Sequence, residues 1–168
     1  MIENLLRLQI KTEKQVQDLE NVDVVPVVAR YTRGTAQSIP NNTTTIVDFD
    51  TLDIDTTLAV TTGASWQFVA PVAGYYQVDA HISFASTANW ADGEVCQISV
   101  FKNGATAGIL GFSHNNPTNT QASVGGGTVV HLAKGDTIDI RVAQVSGAAL
   151  NTQAAATHCW VAIHRIKG

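Results

Sequence analysis

From Gly74 onward, Tyr76, Val78, Ala80, Ile82 and Phe84 recur at every second position, with Tyr75, Gln77, Asp79, His81 and Ser83 between them. A period of two belongs to a strand and turns apolar side chains to one side and polar ones to the other. Just upstream, Trp66 to Ala70 reads as a short strand and Pro71 to Gly74 as a tight corner. Five apolar residues on one side need a second sheet to cover them, so the long strand is expected to be the spine of a β-sandwich. The same patterning recurs later. Val95 to Phe101 and Ala107 to Phe112 flank an Asn103-Gly104 pair, a strong hairpin signal. Val124 to Leu132 and Thr137 to Val145 flank a Gly135-Asp136 turn, and Thr157 to Ile166 reads as the closing strand. Before the spine, Val24 to Tyr31 is interrupted by Pro26, which suits an edge or a strand start. Asn41 to Phe49 reads as a Thr-rich strand.

The first 22 residues follow another period. Ile2, Leu5, Gln9, Thr12, Val16 and Leu19 fall at a and d positions of a heptad, and a competing frame runs through Leu5, Leu8, Thr12, Gln15, Leu19 and Val22. This predicts a short N-terminal α-helix over residues 1–22, with Ile2, Leu5, Val16 and Leu19 as the coiled-coil contacts. Both frames have polar central layers, so such a coil is marginal alone and relies on the body behind it to gather the helices. The alternative is a single amphipathic helix lying on its own β domain. Glu3 and Asn4 stand where an export signal would be basic, so no signal peptide is expected.

Phe68, Gly74, Tyr76 and Val78, spaced by five, one and one residues, resemble the central signature of the C1q globular-head family, whose jelly roll is shared with tumour necrosis factor. Val129 to Ile140 is similar to that family's late strand, Gly-Asp corner and next strand, and Trp160 to Ile166 to its closing strand. The resemblance implies an all-β, C1q/TNF-like jelly-roll β-sandwich over residues 23–168, preceded by the helix. It also implies a homotrimer in which the sheet holding the central and closing strands faces the neighbouring subunits. Alternation then assigns the trimer interface. Tyr75, Gln77, His81, Val129, His131, Trp160, Ala162 and His164 look outward, while Val130, Leu132, Cys159, Val161 and Ile163 point to the core. Three histidines per chain approach that contact, and hydrogen-bonded neutral rings are favoured there over a threefold metal site.

Composition narrows the function. Charged residues make up 14% of the chain, below the ~25% typical of soluble domains. Such a hydroxyl- and amide-rich surface suits a β protein facing an exterior medium. A net charge of −4 argues against nucleic acid as a partner, and the apolar runs are too short for a membrane span. Asp48, Asp50, Asp53 and Asp55 alternate as calcium ligands might be arranged, but no EF-hand Gly or closing Glu accompanies them, and a solvated acidic loop is the favoured reading. Gly125-Gly126-Gly127 lacks the Lys-Ser/Thr of a phosphate loop and is read as a place where another backbone approaches closely.

Catalytic groups are missing as a set. Asp79 and His81 share a face without a Ser or Cys nucleophile, and the adjacent His158 and Cys159 are expected on opposite faces of a strand. Neither an enzyme, a cofactor nor a metal is expected. Cys96 and Cys159 read as buried thiols. Trp90, on the loop from Ala85 to Gly93, is the candidate ligand contact for a sugar or protein, unless it folds back over the sheet end. The leading expectation is a non-enzymatic homotrimer on a phage virion surface, a head fibre, decoration or tail-fibre-type protein held to capsid or tail proteins by its helix. The alternative is a bacterial or host ligand-binding module, extracellular or at a cell surface, recognising carbohydrate or protein.

Overall fold

The computed structural model describes residues 3–4, 7–13, 26–85, 90–115 and 121–167. Residues 7–13 are helical, and Thr12 Oγ1 donates to Leu8 O at 2.9 Å one turn back. Ile2, Leu5, Val16 and Leu19, and the expected boundary between residues 22 and 23, lie outside the described residues.

Strands follow: β1 (Val28–Thr32), β2 (Ser38–Ile39), β3 (Thr45–Ile46), β4 (Thr51–Asp55), β5 (Val60–Thr61), β6 (Gln67–Val69), β7 (Gly74–Ser83), β8 (Val95–Lys102), β9 (Ala105–His114), β10 (Ser123–Leu132), β11 (Thr137–Val145), β12 (Leu150–Asn151) and β13 (Trp160–Lys167). One sheet has the order β10-β7-β13-β1-β4 and the other β5-β6-β11-β8-β9, with β3 also on β11 and a small β2–β12 pair. All named pairings are antiparallel, and the chain switches sheets repeatedly, as a jelly roll does. β1 starts two residues after Pro26, where the missing N–H costs no ladder bond. The expected strand from Asn41 to Phe49 shrinks to β3, although Val47 N still donates to Ile140 O at 2.9 Å.

β7 carries the alternation of its sequence: Tyr76, Val78, Ala80 and Ile82 are buried, while Tyr75 is exposed and Gln77, Asp79 and His81 are half-buried. Its inner side chains meet a core that includes Phe68, Ile98, Val100, Ile138, Ile140 and Val142. Full burial of each large side chain contributes roughly 2 kcal/mol. Phe68 lies edge-on to Tyr76 at 5.6 Å and Phe49 edge-on to Trp66 at 5.2 Å, the geometry that ring quadrupoles favour. Cys96 and Cys159 are free and wholly buried. Burial pushes the Cys96 thiol up to about 11 and raises that of Cys159 too, which leaves both poor nucleophiles.

At the edge where β9 and β10 meet, the two sheets touch backbone to backbone. A Cβ on Gly126 would sit 1.9 Å from Leu110 O, and one on Gly111 would sit 2.5 Å from Gly125 O. The glycine run is therefore a close approach of two strands of one chain. In the hairpin between β8 and β9, Asn103 and Gly104 both have positive φ, 49° and 80°, as a two-residue primed turn requires.

The acidic segment is not a freely solvated loop. Asp48 accepts from Gly63 N, Asp55 from the amides of Thr57, Ala59 and Val60 and from Tyr31 Oη, and Asp53 pairs with Arg30. Asp50 accepts from Gly34 N at 2.6 Å, Thr35 N, Thr35 Oγ1 and Thr51 Oγ1. Asp48, Asp50 and Asp55 pin loops by collecting amides that the irregular backbone leaves unpaired, while Asp53 ties β4 to β1 through Arg30.

Candidate functional site

The side chains on the outer face of the five-stranded sheet fall into rows across the strands. The first runs Thr32, Trp160, His81, Gly125, the second Arg30, Ala162, Asp79, Gly127, and the third Val28, His164, Gln77, Val129. After a bulge near Arg165, Lys167 pairs with Tyr75 and Tyr75 with His131. All eight residues assigned by alternation to an interface, Tyr75, Gln77, His81, Val129, His131, Trp160, Ala162 and His164, thus share this one face. Tyr75, on β7, and Val129, on the terminal strand β10, are 55% and 49% exposed. Tyr75 leans edge-on against the His131 ring at 5.0 Å.

Relief on the face comes from residue size. Ala162, Gly125 and Gly127 leave a low strip beside the taller Trp160 and His81, whose rings are nearly parallel with centroids 6.2 Å apart. A groove of about 300 Å³ opens there, lined by Asp79, His81, Trp160 and the three glycines, among others. His81 Nδ1 donates to His158 O at 2.8 Å, since a carbonyl can only accept. Its Nε2 in the neutral ring is then an acceptor. Gln77 Nε2 donates to Asp79 Oδ1 at 2.8 Å. A Cβ on Gly127 would lie 1.9 Å from Asp79 Oδ1, so glycine there is what lets the carboxylate lie flat on β10.

The outer face of the six-stranded sheet differs. Arg141 forks onto Asp139 at 2.6 and 3.0 Å, which raises the guanidinium pKa, and lies 4.0 Å over the Phe101 ring. Gln97 Nε2 donates to Ser99 Oγ at 2.9 Å.

Two sequence expectations change. Trp90 is 3% exposed and lies edge-on against Phe84 at 6.0 Å, so it belongs to the core and is not a ligand contact. His158 sits in the turn before β13 and not on a strand, so no face-alternation argument applies to it. Alternation alone overlooked Asp79, Gly125 and Gly127 as parts of the site; Asp79 was legible as an outward residue, whereas the groove needed the register of β10 on β7. Among the described residues no three of His, Cys, Asp and Glu are placed to share a metal ion, and no helix is long and apolar enough to cross a membrane.

The C1q domain family matches residues 29–159, most of the chain. This protein belongs to the C1q domain family. Solved structures agree in fold. The Eiger TNF structure from S. frugiperda superposes with a TM-score of 0.62 at 11% identity, covering 84% of this chain and 92% of that one. The globular domain of zebrafish complement 1qA gives 0.60 at 17% identity, covering 84% and 99%, and murine APRIL gives 0.60 at 12% with the same coverage. No curated protein sequence matches the chain. C1q and TNF domains are a trimeric, ligand-binding class of module, typically non-enzymatic and typically extracellular or at a surface.

Proposed function

We propose that this C1q-family protein is a non-enzymatic homotrimer whose subunits meet through the outer face of the five-stranded sheet, and that it serves as a structural and binding component of a phage virion surface. The observation that carries the trimer is the exposure of Tyr75 and Val129, neighbours on an outer sheet face that none of the described residues covers. An exposed aromatic and aliphatic cluster rimmed by His, Gln and Asp has the make-up of an association surface. Light scattering at micromolar concentration is expected to give the mass of three chains, and a monomeric mass would remove the reading.

The virion assignment rests on less: the hydroxyl- and amide-rich composition, and the helical residues, all exposed where described, with Leu8 at 67% and Ile10 at 57%. Apolar residues left open on a helix ask for a partner. In this reading the helix, with Ile2, Leu5, Val16 and Leu19 on its seam, attaches to capsid or tail proteins and the jelly roll projects. Removing residues 1–21 is expected to leave a folded trimer that no longer attaches to particles, and a truncated protein that still decorates them would contradict the anchor. The ligand-binding reading, with a host-surface carbohydrate or protein as ligand, makes no use of the helix and predicts that truncation changes nothing.

A further inference from the structure

The groove over Gly125 to Gly127 presents acceptors. Among the described residues Asp79 accepts one hydrogen bond, from Gln77 Nε2, and takes part in no ion pair. Arg30, in the same row, is committed to Asp53. The His81 tautomer fixed by His158 O leaves Nε2 as an acceptor, and Cδ2, the carbon bonded to it, lies 2.8 Å from where a Gly125 Cβ would be, so this edge of the ring looks over the glycine floor. Trp160 adds an aromatic wall. A carboxylate, an unprotonated imidazole nitrogen and an indole together suit a positively charged donor, a guanidinium or a primary ammonium.

The trimer reading adds an electrostatic demand, and the inference rests on that reading. A subunit contact over this face takes Asp79 further from water. An anion buried without a counter-charge is costly, and the described residues contribute one neutral amide. A threefold assembly is heterologous: this face on one subunit meets a different surface on the next, which is free to carry the cation. We infer that a lysine or arginine of a second copy of this chain enters the groove and pairs with Asp79, so that each of the three sites is completed only by the neighbouring subunit.

The test follows dissociation of the full-length trimer with concentration. Asp79→Asn keeps the acceptor for Gln77 and is expected to raise the dissociation midpoint at least about 10-fold at low salt, and Asp79→Lys at least about 100-fold. Raising NaCl to about 0.5 M should weaken the wild type more than Asp79→Asn, because only the wild type has the charge pair to screen. Circular dichroism verifies the fold of both variants, and the isosteric Asn change carries the test alone should the Lys variant not fold. A wild-type trimer with the same midpoint in Asp79→Asn overturns the pairing and leaves the trimer standing, whereas a monomeric wild type overturns both. Saturable binding of arginine amide to the intact trimer, lost in Asp79→Asn, would show the groove empty after assembly and also overturn the second copy as its occupant.

Discussion

The outer faces of the two sheets are built from similar strands and are finished differently. On the six-stranded sheet the charged and polar groups satisfy one another: Arg141 covers Phe101 and grips Asp139, and Gln97 bonds Ser99. On the five-stranded sheet Tyr75 and Val129 stand open, and among the described residues no cation pairs with Asp79. Polar groups paired within a surface lose little to water and gain little from a partner, while open apolar area gains by being covered. Open apolar area is present on both faces, since Ile109 and Phe112 on β9 are 60% and 52% exposed in the rows of Ser99 and Gln97; what sets the five-stranded sheet apart is the Asp79 carboxylate, for which the described residues supply no cation.

The largest expected effect comes from placing a charge on that open face. Val129→Asp should shift the protein from trimer to monomer in light scattering while its circular dichroism keeps the β signature, since an unpaired buried anion costs several kcal/mol at each of three contacts, on the order of 3 kcal/mol apiece. A trimer that survives this change would make the two faces equivalent and end the comparison.

How far the sequence reaches is visible in the same residues. Period-two alternation separates Tyr75, Gln77 and His81 from Tyr76, Val78 and Ala80 without any knowledge of pairing, because each strand is half-buried. The Asn103-Gly104 hairpin and the closing strand were legible for the same local reason. The aspartates were not. Their partners are amides such as Gly34 N and Gly63 N, 15 or 16 residues away in the chain, and only the folded path of the loops brings these together. Trp90 was undecidable because a loop tryptophan has no alternation to orient it, and its contact with Phe84 is tertiary.

Next in size is Gly126→Ala. The added methyl would meet Leu110 O at the seam between the sheets, where backbone cannot swing aside as a side chain can. About 3 kcal/mol of stability should be lost, lowering Tm by roughly 10 °C. An unchanged Tm would mean that the seam is looser than its distances. Arg141→Met on the self-paired face should cost only about 1 kcal/mol in a denaturant titration, through the lost ion pair and ring contact. It should leave the oligomeric mass untouched; a change in mass would transfer the association role to the wrong sheet.

The smallest effect is a pH dependence. Burial pushes the Asp50 carboxyl up, but hydrogen bonds from Thr35, Gly34 and Thr51, with the Arg33 charge, outweigh it and hold the group down at about 2. A folded-state pKa below the unfolded value means that the contribution is complete above about pH 4 and is lost as pH falls toward 2. Asp50→Asn should flatten the melting curve's dependence on acid over that window and alter neither face. An identical acid dependence in the variant would show that other carboxylates govern it.

The glycine seam bears on how such a chain avoids runaway assembly. β9 and β10 are terminal strands of their sheets, and unpaired strand edges invite other chains to add on indefinitely, toward fibres. By drawing Gly111 and Leu110 onto Gly125 and Gly126, the fold turns two terminal strands toward each other and shields that margin from further strand addition. In the proposed trimer, association is thereby left to the sheet face, where rotational symmetry can close it at a fixed number of copies.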